Sequence, residues 1–243
     1  MDRDRYLSLL NGDAALLRAT AVRDLDADVS TCPGWKVRDA VEHVCEVYEH
    51  KVAAIAAGGA KPDPWPPPDW PADRDPIAWF DVAYARLRDA LVHTDPGAPS
   101  WTWWPEDQTA GFWLRRMAQE TAMHRADVEC AHGLPSPIAD DLALDGIDEL
   151  FFLMFAGDWS DLPQPELTGT FTVSAADRSW RVGCAPEEVT VAKGGGDADG
   201  TVTGNPSDVL LWLYGRVPDP FVELGGDPDA LVRFRERLTL ATQ

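Results

Sequence analysis

The sequence predicts a mostly α-helical protein of two domains: an antiparallel four-helix bundle over residues 1–136 and a smaller α+β domain over residues 137–243. Three observations carry this. Before Pro137, four segments of about 20 residues repeat apolar side chains at helical spacing. After it, short alternating runs bounded by Gly, Pro and Asp take over. At 243 residues and 45% apolar, the chain can fill one large core or two small ones.

The first helix, about 3–23, places Tyr6, Leu9, Leu10, Ala14, Leu17 and Val22 on one face. "STCPGW" then breaks the chain with Pro33 and Gly34. The second helix, about 37–57, carries Val37, Val41, Val44, Tyr48, Val52 and Ile55 as its apolar stripe. "GGAKPDPWPPPDWPADRDP" must be a long loop, of a length that is uncommon without a function such as a lid. The third helix, about 76–93, follows from Ile77, Phe80, Ala83, Tyr84, Leu87 and Leu91, and the tryptophan-rich loop "HTDPGAPSWTWWPEDQTAG" leads to a fourth over about 110–130. In the second domain a helix over about 140–156 precedes four strand-like segments, "ELTGTFTV", "SWRVGC", "EEVTVAKG" and "GTVTGN". "NPSDVLLWLYGR" reads as a helix capped by Asn205 with Pro206 in its first turn. "DPDALVRFRERLTLA" reads as the last helix. "GGGDADG" lacks the strand–helix context and the lysine of a phosphate loop and is a turn.

Charge narrows the partners. With 41 acidic and 21 basic residues the net charge is −20, which argues against nucleic acid and anionic membranes. There is no apolar run long enough to span a bilayer and no signal-like N-terminus, so a cytoplasmic protein is expected. Cys32, Cys45, Cys130 and Cys184 are scattered and are expected as free thiols.

The fourth helix holds the chemistry. Trp113, Met117, Glu120, His124 and Val128 follow at steps of four, three, four and four, so they share one face. Three are apolar, which points Glu120 and His124 inward as well. A buried carboxylate needs compensation. His43, at the edge of the second helix's stripe, would complete a His₂Glu set, which suits an open zinc site and also accepts ferrous iron or nickel. Spacing leaves a second reading open, a Glu–His pair that satisfies itself. Of the other candidates, His50 is expected as a surface or supporting residue and His93 as a helix-end cation. His132 lies just past the fourth helix, and Cys45 should face away from His43. Asp127 is placed to orient an imidazole, Arg125 to make a surface or interhelical ion pair, and Trp35 to pin the start of the second helix. The tryptophans of 101–104 either wall a pocket or pack on a helix.

"CPGWKVRDAVEHVCEVYEH" followed by "RRMAQETAMHRADVECAHG" resembles the mycothiol-dependent maleylpyruvate isomerase family, with its DinB-type metal-binding bundle. The C-terminal half, with "VTGNPSDVLLWLYGR", resembles that family's sterol-carrier-like companion domain. The resemblance implies a cytoplasmic, actinobacterial protein with His43, Glu120 and His124 as ligands of a divalent metal, zinc before nickel or iron. It implies mycothiol as thiol cosubstrate and Arg216 as a catalytic cation. The other reading of Arg216 is a helix-end cation that satisfies the dipole. The implied function is a thiol-using isomerase or S-transferase acting on a small electrophilic substrate, as a monomer or weak dimer. A metal-dependent hydrolase and a non-catalytic metal-binding or regulatory module are the alternatives. Gln119, where His often precedes the glutamate, and Ala126, where Trp is common, depart from the family's form and put the substrate in doubt more than the metal.

Overall fold

The computed structural model describes residues 1–62, 74–157, 167–186 and 188–242, which divide into two compact units, Met1–Ser136 and Pro137–Gln243. In the first unit the amphipathic segments form α1 (Arg3–Ala21), α2 (Val37–Ala57), α3 (Pro76–His93) and α4 (Ala110–Cys130). Local chemistry sets their starts. Asp2 accepts the Arg5 N–H at 2.8 Å, and Asp75 accepts that of Ile77 at 2.9 Å with Pro76 beginning the helix. The N–H of Lys36 donates to Asp39 at 2.7 Å.

Helix α1 packs on α4, and α2 packs on both α3 and α4. Leu10, Leu17, Val41, Val44, Leu87, Trp113 and Met117 are fully buried between them. Each aliphatic side chain removed from water in this way contributes about 1.5–3 kcal/mol. The contacts along α2 and α4 run in opposite directions. His43 lies beside His124, Tyr48 bonds Thr121, and Lys51 lies over Trp113. The two helices are therefore antiparallel.

Tyr48 and Thr121 form the polar rung of this interface, with 2.6 Å between their oxygens. The Thr121 hydroxyl donates to the Met117 carbonyl, so the Tyr48 hydroxyl donates to Thr121. Tyr48→Phe is expected to lower stability by about 1 kcal/mol, the net worth of one buried hydrogen bond. Urea denaturation checks this, and a gain in stability would contradict the assignment.

The tryptophan-rich loop before α4 packs on the helices. Trp113 donates its indole N–H to the Trp101 carbonyl at 2.8 Å, and the rings of Trp103 and Phe112 meet edge to face at 5.1 Å. Most of the proline-rich loop after α2 lies outside the described residues.

The second unit comprises α5 (Asp140–Glu149), β1 (Gly169–Ala175), β2 (Arg178–Ala185), β3 (Glu188–Lys193), β4 (Gly200–Gly204), α6 (Pro206–Leu213), β5 (Glu223–Gly226) and α7 (Pro228–Thr242). The helix expected over 140–156 is α-helical only to Glu149; Leu150–Phe155 widens into a π-helical turn. Both conformations bury Leu150, Phe151 and Phe155, so apolar spacing cannot separate them. The sheet order is β3-β2-β1-β4-β5, with β1 and β4 parallel and the other pairs antiparallel. Phe171 of β1 stacks on Phe234 of α7 at 4.2 Å.

Strand β5 is absent from the sequence-based expectation. Its residues, Glu-Leu-Gly-Gly, include no β-branched or aromatic side chain. It pairs because Gly226 adopts φ 89°, where a Cβ would come within 2.2 Å of the Asp199 carbonyl oxygen. Asn205 caps α6 by accepting the Asp208 N–H at 2.9 Å. Among the described residues no helix is long and apolar enough to cross a membrane.

Candidate metal centre

The antiparallel pairing of α2 and α4 brings His43 opposite Glu120 and His124, which lie one turn apart. Glu120 Oε1 lies 3.4 Å from His43 Nε2 and 3.2 Å from His124 Nε2. One donor atom from each residue falls within 4.8 Å of the other two. A tetrahedral ion with bonds of about 2.0–2.1 Å needs its ligand atoms about 3.3–3.4 Å apart. Two of the three separations are already close to that, so the donor set fits a divalent metal in both chemistry and spacing.

Neighbours hold these side chains in place. His124 Nδ1 lies 3.0 Å from Asp127 Oδ2, which turns Nε2 toward Glu120. Asp127 is fully buried and accepts the Thr31 hydroxyl at 2.7 Å on its other oxygen. Thr31 belongs to the loop before α2. In the same loop Gly34, at φ 87°, makes the turn that leads into Trp35. The Trp35 ring stacks on His124 at 6.3 Å and meets His43 at 5.2 Å. Arg116, one turn before Glu120, pairs with Glu120 Oε2 and leaves Oε1 toward the imidazoles.

Electrostatics follow from this crowding. Burial opposes charge on Glu120, but Arg116, His124 and His43 outweigh it and hold the carboxyl well below the usual carboxylate range. Burial also opposes a charge on His124. The carboxylates of Glu120 and Asp127 prevail and push its pKa up to about 9. The side chains of Glu120 and His124 are 12% and 13% exposed, whereas that of His43 is 33% exposed. The cluster therefore meets solvent on the His43 side.

The remaining candidates fall elsewhere. His50 is buried, not on the surface; its Nδ1 lies 2.9 Å from Lys51 Nζ, and burial pulls its pKa down to about 4. Cys45 is buried and its thiol is pushed well up, first by burial, so it is no nucleophile. His93 is exposed at the end of α3. Arg125 is fully buried and bridges helices, with Nε 2.9 Å from Asp13 on α1 and Nη1 2.6 Å from Glu129. Arg216 belongs to the second unit, where it is buried and donates to the Tyr214 carbonyl at 2.5 Å, just past α6. Sequence reasoning did not anticipate Arg116, Thr31 or Lys51 near the cluster, and it gave Trp35 only a pinning role. The i,i+4 spacing of Arg116 and Glu120 was the one available signal.

The model of the mycothiol maleylpyruvate isomerase N-terminal domain matches residues 11–129, and that of the MDMPI C-terminal domain matches residues 141–233. No curated protein matches the chain. Two crystal structures of mycothiol-dependent maleylpyruvate isomerase share the fold. One, a histidine-to-alanine mutant, aligns at 13% identity with a TM-score of 0.65, and the other at 14% with 0.64; each alignment covers 93% of both chains. With both units matched in order by that family's two domain models, the chain belongs to the mycothiol maleylpyruvate isomerase family.

Proposed function

We propose that His43, Glu120 and His124 hold one divalent metal, zinc in first place, and that the protein uses mycothiol to isomerise, or to add sulfur to, a small electrophilic alkene. The convergence of two imidazoles on one oxygen of a buried carboxylate carries this reading. When bound, the metal supplies thiolate at neutral pH from a thiol whose ordinary pKa of about 8.5 leaves it mostly protonated.

The chain's own residues do the rest. Arg116 occupies Glu120 Oε2 and keeps the carboxylate presenting Oε1. Asp127, held by Thr31, fixes the His124 ring. Trp35 walls the cluster, and the exposed edge at His43 admits the reactants. In the reaction the thiolate adds to the activated carbon and the double bond becomes single. That bond rotates, and expulsion of the same thiolate restores the alkene. A transferase would retain the sulfur after protonation of the adjacent carbon. Arg216 is proposed to offset the enolate charge that develops. Arg216→Ala is then expected to lower kcat with metal content unchanged.

Asp127→Asn is expected to weaken metal binding about 10–100-fold while the fold persists. Competition against a chelator checks this, with circular dichroism as control. The function is tested by assaying a cis-dienoate such as maleylpyruvate with and without mycothiol. Strict dependence on the thiol supports the proposal. Ester or amide hydrolysis without thiol would replace it with a hydrolase.

A further inference from the structure

We propose that Arg237 anchors an oxyanion site in the second unit, its guanidinium binding the carboxylate or phosphate group of a small ligand at the end of the sheet where α7 crosses β2. The site is independent of the metal cluster and of the reaction proposed there.

Helix α7 buries Ala230, Leu231, Phe234, Arg237 and Leu238, which recur at helical spacing and so share one face. That face crosses the sheet. A Cβ on Gly200 of β4 would come 2.8 Å from Leu231, and Phe234 stacks on Phe171 of β1. Three residues later, Arg237 acts on the thiol of Cys184 in β2. Strands β4, β1 and β2 are neighbours in that order. An arginine therefore stands on the sheet-facing side of α7, where an apolar side chain would be expected.

Arg237 is only 7% exposed. Among the described residues no acceptor bonds it and no carboxylate lies within ion-pair distance. The other buried arginines are supplied. Arg125 has Asp13 and Glu129, and Arg216 donates to the Tyr214 carbonyl. Arg235, two residues earlier on α7, has Asp219 and the Val217 carbonyl. A shortage of acids is not the reason, in a chain with 41 of them against 21 bases.

The sheet beneath offers no counter-charge. Its row through Cys184 runs Val189, Cys184, Gly169. Burial pushes the Cys184 thiol up to about 12, so it stays neutral and can donate a weak hydrogen bond. A buried lysine or carboxyl can shed its charge by changing protonation, but a guanidinium cannot. It needs an anion. None of its nitrogens is sealed from solvent, so an anion in solution can reach it. Its planar fork of donors matches two oxygens of a carboxylate or phosphate. The stacked rings of Phe171 and Phe234 fill the core behind it, with Phe155 edge-on to Phe234 at 5.8 Å. The ligand therefore enters by its anionic end.

The probes are sodium acetate and inorganic phosphate, titrated calorimetrically at low salt into the full-length protein as purified, with Arg237→Met as the comparison. A net charge of −20 disfavours casual anion binding. At least one probe is expected to bind the wild type, and to bind Arg237→Met about 10–100-fold more weakly, the worth of a hydrogen bond to a charged group. Tighter acetate assigns a carboxylate ligand, and tighter phosphate a phosphorylated one. In buffer free of both anions Arg237→Met is expected to melt no lower than the wild type, because an unpaired buried charge has been replaced by an apolar side chain. Wild-type protein that binds neither probe below about 10 mM would overturn the proposal without any variant. Affinity unchanged in Arg237→Met would also overturn it, since that is the result for an anion held at the metal cluster instead. A Tm lowered by more than about 6 °C in anion-free buffer would overturn it too, because it would reveal a partner for the guanidinium within the protein.

Discussion

His124→Ala is expected to leave the protein without bound metal. Wild-type protein purified without chelators should hold about one divalent ion per chain by elemental analysis. A four-ligand zinc site is worth about 10–16 kcal/mol in all, so one protein ligand carries about 3 kcal/mol, roughly a 100-fold loss of affinity. The true loss should exceed this, because His124 is also the residue that Asp127 positions and against which Trp35 stacks. Thiol-dependent turnover should disappear with the metal. His93→Ala is the control, since His93 is exposed at the end of α3 and should leave metal content unchanged. Equal metal in wild type and His124→Ala, or none in either, would sink the metal assignment.

Arg125→Met is expected to be the most damaging single change to stability. The guanidinium is fully buried and lies within ion-pair distance of Asp13 on α1 and Glu129 on α4. Removing it leaves two mostly buried carboxylates without their cation, a class of change that costs about 3–5 kcal/mol. Urea denaturation followed by far-UV circular dichroism measures it, and a loss below about 1 kcal/mol would reject the account. The pH dependence has a definite sign. Burial raises the Asp13 pKa and Arg125 opposes that shift, so removing Arg125 raises it further. A carboxyl whose folded pKa exceeds its unfolded value binds protons preferentially in the folded state. The deficit should therefore be full at neutral pH and should narrow as pH falls into the carboxylate range.

These two residues are neighbours on α4, yet they differ in how far the sequence exposes them. Glu120 and His124 are conspicuous because they interrupt an apolar stripe, and a polar residue on an inward face demands an explanation. Arg125 gives no such signal. It falls off the stripe and reads as solvated. It is buried because α1 packs against that flank of α4, bringing Asp13, and a one-helix pattern carries no information about a second helix. Thr31 and Trp35 lie in a loop, where no period marks the inward direction. Lys51 and Arg116 look like ordinary charged residues until the antiparallel pairing sets them along one interface. In the second unit α6 is legible because Asn205 and Pro206 mark its start, whereas β5 depends on a backbone conformation at Gly226 that composition alone does not reveal.

The two-sided use of Glu120 has a consequence for how this position can change over generations. One oxygen faces a guanidinium, which can only donate, and the other faces ring nitrogens. Glutamine has one acceptor and one donor end, so Arg116 would dictate its orientation, oxygen toward the guanidinium and amide NH₂ toward the imidazoles. The NH₂ would then donate to the very lone pairs a metal needs. Such a chain would be well satisfied and stable, and its inactivation would leave no mark on folding. On the proposed metal assignment, a relative carrying glutamine at this position is expected to be a folded protein that binds no metal there, recognisable by one side chain.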